Sequence, residues 1–283
     1  TDLQVNTVRF ETTKVLTNEL LSMKLVSWRE NYKYEIDGVI VSNDSVHERV
    51  NKNPDHAFAF KMVLSDQVAE AKVRQVLWAP SKDGVLKPRI QIEPVVLGGA
   101  KIEFATAHNA RFVEDNKLGI GATVEIIRSG DVIPKIERII VPAEKAQMPD
   151  VPYEWNATHV DIKLIDAENN EIVREKNILT FFKTLGVDGI GAGNVRKLID
   201  AGFDSVAKVL AMSESDFLTL EGFKKRMAEK IYTNISEGVK KSTLPALMAA
   251  SNVFARGLGT SRFLPVLEAF PDILTSKASA EDK

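Results

Sequence analysis

Two textures divide this chain, and no single layer of secondary structure can absorb both. Between residues 68 and 141 short β-type stretches follow one another closely: AKVRQVLWAP, GVLKPRIQIEPVVL, AKIEFATAHN and ATVEIIRSGDVIPKIERIIVP, separated by the turns KDG, GG and SGD. From residue 173 onward the pattern is helical: NILTFFKTL, AGNVRKLIDA, FDSVAKVLAM, ESDFLTL, KKRMAEKIYTNISEGVKK and LPALMAASNVFA, joined by Gly-bearing turns. A run of strands followed by a run of helices predicts separate packing units in one α+β chain.

Several short strands with Gly-rich turns in so short a span predict a small five-stranded barrel of the OB type. Ahead of it, residues 12–31 carry an apolar stripe through Val15, Leu16, Leu20, Met23, Val26 and Trp28, which predicts an amphipathic helix. YEIDGVIVS then reads as a strand, NDSVHERVNKNPDH as a polar loop, and AFAFKMVL as a second strand. Between barrel and helices, MPDVPYEWNATHV is rich in turns, and DIKLID and EIVRE flank an AENN turn, which predicts a small hairpin.

Composition narrows the chemistry. The 283 residues include no cysteine, which excludes disulfides, thiolate catalysis and cysteine-ligated zinc. No apolar run approaches the length of a membrane span, and no signal-peptide pattern is present. The expected location is the cytoplasm, that of the host if the chain is viral. The formal net charge is −2, so any binding to nucleic acid must rest on local patches and backbone amides.

Three places in the helical half share one design: GVDGIGAGNVRKL, LEGFKKRMAEKI and ARGLGTSRFL. Each is a helix end, a Gly-hydrophobic-Gly turn or a near version of it, and a new helix. Glycine permits the tight turn and the close approach of a phosphate, and the next helix presents unpaired N–H groups. Gly189, Gly191 and Gly193, then Gly222 and Lys224, then Gly257 and Gly259 are therefore candidate DNA-backbone contacts, with Ile190 and Leu258 as apolar anchors. This is the helix-hairpin-helix pattern, which grips backbone without reading sequence. The competing structural reading is a plain helical bundle with glycine at its turns.

EIDGVIV, AFAFKM, GVLKP, ATAHN, RSGDVIP and the hairpin array, in that order, resemble the C-terminal two-thirds of an NAD-dependent DNA ligase, from about residue 12 to 270. The resemblance implies four parts. They are the terminal strands of a nucleotidyltransferase (adenylation) domain over residues 1–67, an OB-fold barrel over 68–142, a cysteine-free connector hairpin over 143–172 and an all-α helix-hairpin-helix domain over 173–283. It also implies NAD as AMP donor, Mg²⁺ as metal, and nicked double-stranded DNA, met in replication and repair, as substrate. In that family AMP passes first to a lysine in a Lys-x-Asp-Gly motif. Here the Asp-Gly pairs Asp37-Gly38, Asp83-Gly84 and Asp188-Gly189 are preceded two steps earlier by Glu35, Ser81 and Gly186, so that lysine is absent. The chain resembles the second subunit of a split, two-chain ligase of bacteriophage type, inactive alone. Its partner would carry the Lys-x-Asp-Gly motif and the nicotinamide mononucleotide-binding domain. The alternatives are that it is a piece of a longer ligase, or a non-catalytic DNA-binding scaffold.

Residue by residue, the resemblance implies that Asp37 positions Mg²⁺, that Gly38 lets the nucleotide approach, that Lys61 contacts the AMP phosphate, and that Arg29 lies near nucleotide or nick. Ser42 stands where the family carries a lysine. In the barrel it implies DNA contacts from Lys82, Arg128, Gly130, Val132 and Ile133, with Lys82-Asp83 replacing the usual Arg-Thr; His108 and Asn109 are expected to stabilise the barrel. The family's four-cysteine zinc module has no counterpart in MPDVPYEWNATHVDIKLID, so Tyr153, Trp155 and the DIKL strand must hold that bridge by packing, without zinc.

Overall fold

The computed structural model describes residues 7–34, 36–48, 53–61, 68–127, 133–254 and 257–277. The chain divides into two compact units: Thr1–Leu77 with Pro88–His108 and Phe112–Met148, and Trp78–Lys87 with Asn109–Arg111 and Pro149–Lys283.

In the first unit, helix α1 (Asn18–Asn31) starts where Thr17 caps it, its side chain accepting from the Leu20 amide. The helix therefore begins later than the pattern predicts, and Val15 and Leu16 lie before it, exposed. Its buried face is Leu21 and Leu25, one turn apart. Met23 and Val26 are exposed, because positions two from Leu21 and one from Leu25 point away from that face. Strands β1 (Val39–Ser42) and β2 (Ala57–Phe60) pair antiparallel, with Val39 opposite Phe60. The predicted strand from Tyr34 is thus shorter, since the Asp37-Gly38 step bends the chain before the ladder begins.

The barrel is built from β3 (Val68–Pro80), β4 (Val85–Leu97), β5 (Ala100–Thr106), β6 (Thr123–Ile127) and β7 (Lys135–Val141), with helix α2 (Ala110–Asp115) between β5 and β6. Its strand order is β3-β6-β7-β5-β4, and β3 also pairs with β4, which closes the ring. This is the topology expected from the spacing of the short strands. Alternation supplies the core: Val73, Ile90, Ile92, Val124 and Ile136 are buried while their neighbours are more exposed, and Ile126 and Ile127 are both buried at the end of β6. Each such side chain contributes about 1.5–3 kcal/mol by leaving water. Pro94 lies in the interval where the β4–β5 register shifts, between Gln91 and Val95, a place where a missing N–H is tolerated. Across β6 and β7, Arg138 grips Glu125 with two 3.0 Å hydrogen bonds.

In the second unit β8 (Tyr153–Trp155) pairs with β9 (Ile162–Leu164), and β9 pairs with Val85 and Leu86 at the start of β4. The connector hairpin expected from DIKLID and EIVRE is therefore built differently. DIKL pairs back onto YEW, and EIVRE is the first turn of α3 (Glu171–Thr184), because Asn170 of the AENN turn caps that helix through the Val173 amide. Tyr153 and Trp155 meet edge to face, Trp155 stacks on His159, and Asn156 Oδ1 accepts from Thr158, Val160 and Asp161.

Helices α4 (Ala192–Asp200), α5 (Val206–Leu210), α6 (Glu214–Leu218), α7 (Lys225–Lys241), α8 (Leu244–Ser251) and α9 (Thr260–Ala269) follow. Ile178, Phe182, Val195, Leu198, Phe217 and Ile231 are among the residues of one buried cluster at their centre. Residues 78–87, around the turn between β3 and β4, group with this unit. No helix among the described residues is long and apolar enough to cross a membrane.

Candidate nucleotide and nucleic-acid sites

The β1–β2 ladder brings together the residues singled out for nucleotide chemistry. Because Val39 faces Phe60, the residues just outside the ladder, Gly38 and Lys61, are also adjacent. A Cβ at Gly38 would stand 2.8 Å from the Phe60 carbonyl oxygen and 2.9 Å from Lys61 Cγ, so glycine is what lets the strands close here. The resemblance implies that Gly38 lets the nucleotide approach; in the structure its lack of a side chain also admits this strand contact. Lys61 Nζ then reaches Asp37 Oδ2 at 2.6 Å, with the two side chains 43% and 53% exposed. That hydrogen bond, opposed by partial desolvation and helped by the lysine's charge and more weakly by Arg29, holds the Asp37 carboxyl below the usual carboxylate range. Ser42 is exposed and donates to the Asn43 carbonyl, so it brings no cation to this edge.

A hard divalent cation fits this edge on one condition. Among the described residues no group of three or more His, Asp or Glu side chains converges. Asp37 alone suits Mg²⁺, which commonly takes one carboxylate and completes its shell with phosphate oxygens and water.

The hairpins of the helical unit superimpose in pattern. Gly189, Gly222 and Gly257 have φ of +94°, +78° and +92°, a region in which L side chains are strained. Two residues later Gly191, Lys224 and Gly259 are the N-caps of α4, α7 and α9, and none of these helices has a side-chain cap. By contrast α3, α5 and α6 are capped by Asn170, Ser205 and Ser213, although α8, which follows none of the three hairpins, also lacks a side-chain cap. The hairpin helices thus keep their leading N–H groups unspent by side chains. Between the paired positions Ile190 and Phe223 are buried, whereas Leu258 is 41% exposed. The expected anchor at Leu258 is therefore not seen; the third hairpin is held instead by Phe254 against Phe263, which is buried.

Polar side chains with no sequence signature brace the first hairpin and tie it to the second. Asn194 donates to the Gly189 carbonyl, Asn234 on α7 to that of Asp188, and Lys197 on α4 to that of Glu221. Side-chain amides and ammonium groups facing turn carbonyls leave no periodic signature, so only the fold reveals them. Lys224, Lys225 and Arg226 at the start of α7 are exposed and make no ion pair among the described residues.

On the barrel, Ile133 is 70% exposed, an apolar residue facing water beside β7. Arg128, Gly130 and Val132 lie outside the described residues. Lys82 is occupied within its own unit: it pairs with Asp83 at 2.9 Å and also donates to Asn252, while Asn177 donates to the Lys82 carbonyl. Its expected DNA contact would require that network to open. His108 bonds the Ile136 carbonyl through Nε2 and packs on Phe112, in keeping with a stabilising part in the barrel.

Residues 70–148 match the NAD-dependent DNA ligase OB-fold domain. The barrel is therefore similar to a ligase OB fold. Residues 181–236 match a SAM-like helix-hairpin-helix tandem. Over 95% of its length the chain is 39% identical to a DNA ligase of Acanthamoeba polyphaga mimivirus, and it covers 42% of that protein. It is 32% identical to the putative DNA ligase 052L of Invertebrate iridescent virus 3, covering 34% of it, over 92% of this chain. To the DNA ligase of Desulfatibacillum aliphaticivorans it is 31% identical over 84% of the chain and 38% of the relative. The chain therefore spans less than half the length of these relatives.

The range matched by the OB-fold model takes in Lys82, Arg128, Gly130, Val132 and Ile133, while the matched tandem takes in the first two hairpins and ends before the third. The Asp37–Lys61 edge precedes both matches.

Proposed function

We propose that this chain forms the AMP-phosphate and duplex-gripping part of an NAD-dependent DNA ligase that seals nicks in double-stranded DNA. The observation that carries the reading is the pairing of a ligase OB barrel with hairpin helices whose N-termini lack side-chain caps. Lys61 stabilises charge on the phosphate of the adenylate as a point charge. Asp37 would hold Mg²⁺, which when bound neutralises charge on non-bridging phosphate oxygens. Arg29 adds positive charge to the same edge. Ile133, with Arg128, Gly130 and Val132, meets the duplex, and the hairpins at Gly189, Gly191, Gly193, Gly222, Lys224, Gly257 and Gly259 hold backbone phosphates.

The AMP-accepting amine is not in this sequence, which contains no Lys-x-Asp-Gly. In this proposal a second polypeptide supplies it, together with the nicotinamide mononucleotide-binding domain, and the pair works in the cytoplasm, of the host if the protein is viral. The test is reconstitution. The chain alone, incubated with NAD, is expected to form no lysine-linked AMP and to seal nothing. Addition of a protein bearing Lys-x-Asp-Gly is expected to restore sealing, and Asp37→Ala to abolish it while nick binding persists. Sealing by the chain alone would overturn the reading. The intact mass of the native protein decides between a partner chain and one continuous polypeptide.

A further inference from the structure

Across the outer face of the barrel, three exposed residues stand side by side on adjacent strands. Arg89 on β4 is opposite Thr106 on β5, and Thr106 is opposite Lys135 on β7. Their neighbours Ile90, Ala105 and Ile136 are buried at 0%, 2% and 0% exposure, so the three side chains share the solvent side. At strand spacing the row spans about 10 Å. The Arg89 guanidinium lies 3.9 Å over the ring of Phe104, and it has no acidic partner among the described residues. Phe104 is itself opposite Gln91, whose side chain is fixed by Gln75 at 2.7 Å, so the platform under the guanidinium is set. Lys135 has only a loose 3.7 Å contact with Glu137. The Thr106 amide bonds the Pro134 carbonyl, which ties the row to exposed Ile133.

The geometry points to a DNA-backbone phosphate track formed by Arg89, Thr106 and Lys135, a surface outside the contacts expected from the sequence. It rests on the proposed ligase function and extends the duplex contact from Ile133 over the barrel face. Stacking on Phe104 fixes the guanidinium plane while its N–H edges stay available, the arrangement that suits an oxygen-rich anion. A single-stranded base would need the open face of an aromatic ring, and the face of Phe104 is covered by Arg89. The ligand is therefore a nucleic-acid phosphate backbone and not an unstacked base, and under the proposed function that backbone is the nicked duplex's.

Binding of the full chain to a fluorescently labelled nicked duplex, followed by anisotropy over a salt series, tests this. Arg89→Ala is expected to weaken binding about ten-fold at low salt, as for a lost charged hydrogen bond. Arg89→Ala and Lys135→Ala are each expected to reduce the slope of log K against log salt by about one. Arg89→Lys is expected to keep the slope and lose part of the affinity, because the ammonium lacks the planar fork. Lys101→Ala removes an ammonium already held by Glu103 at 2.7 Å and is expected to leave the slope unchanged. Should Arg89→Ala fail to fold, Arg89→Lys and Lys135→Ala carry the test. If the unmodified chain binds the duplex and neither slope changes, the track is overturned and the ligase reading stands. If the unmodified chain does not bind nicked duplex at all, both fall.

Discussion

Asn234 Nδ2 lies 3.0 Å from the carbonyl oxygen of Asp188, so the helix that follows the second hairpin holds the turn of the first. The converse contact exists as well: Lys197, on the helix that follows the first hairpin, reaches the Glu221 carbonyl of the second turn at 2.9 Å. Asp188 and Glu221 occupy the same place, one residue before the left-handed glycine. The two turns therefore brace each other. Each bond is expected to contribute about 0.5–1.5 kcal/mol net. Asn234→Ala and Lys197→Met should each lower the urea midpoint by that order, and the double variant should lose measurably more or less than the sum if the braces are coupled.

The first and third hairpin glycines separate conformational strain from crowding. Gly189 and Gly257 have nearly equal φ, +94° and +92°. A Cβ at Gly189 would come within 2.9 Å of Ile231 Cγ1, whereas a Cβ at Gly257 meets nothing within 4 Å among the described residues. Gly257→Ala is expected to cost about 1–2 kcal/mol, from backbone strain alone. Gly189→Ala should cost more, by about 1 kcal/mol or above, because Ile231 must move in a packed interior. Thermal unfolding of the two variants checks the difference; equal losses would count against the crowding argument.

Lys61 governs the titration of Asp37. A carboxyl whose folded pKa is depressed stabilises the fold above its ordinary value of about 3.9, and that contribution is lost as pH falls through the folded value. The Asp37–Lys61 pair therefore acts at neutral pH and fades in acid below that point, and its effect is small because both side chains are more than one-third exposed. In Lys61→Met the Asp37 carboxyl resonance should titrate at a higher pH than in the unmodified chain. An unchanged midpoint would show that the hydrogen bond at 2.6 Å does not persist in solution.

Lys82 offers a choice between scaffold and ligand contact. Its ammonium is shared by Asp83 and Asn252. Lys82→Met is expected to lower stability by about 1 kcal/mol and to leave the salt dependence of duplex binding unchanged. A reduced slope with unaltered stability would instead favour the DNA role expected from the sequence.

What was legible in the sequence, and what was not, follows from the range of the forces involved. The barrel strands and hairpin helices are marked by alternation, glycine turns and period, all local, and they formed as expected. Asp37 and Lys61 share no local pattern, and only the ladder at Val39 and Phe60 sets them side by side. The errors arose where a single polar side chain outweighs a pattern. Thr17 sets the start of α1, and Asn170 turns EIVRE from a strand into a helix. Leu258 looked like Ile190 in its Gly-x-Gly setting, yet a buried anchor needs a surrounding core, and that depends on distant helices. Arg89 gave no signal because its partner, Phe104, lies on the next strand.

The turn between β3 and β4 belongs by its bonds to the helices, through Lys176 to the Pro80 carbonyl and Asn177 to the Lys82 carbonyl. Recombination that swapped the barrel for a relative's would therefore also replace a piece of the helical array. Natural or engineered shuffling of this protein should succeed only when those few residues travel with the helices they serve.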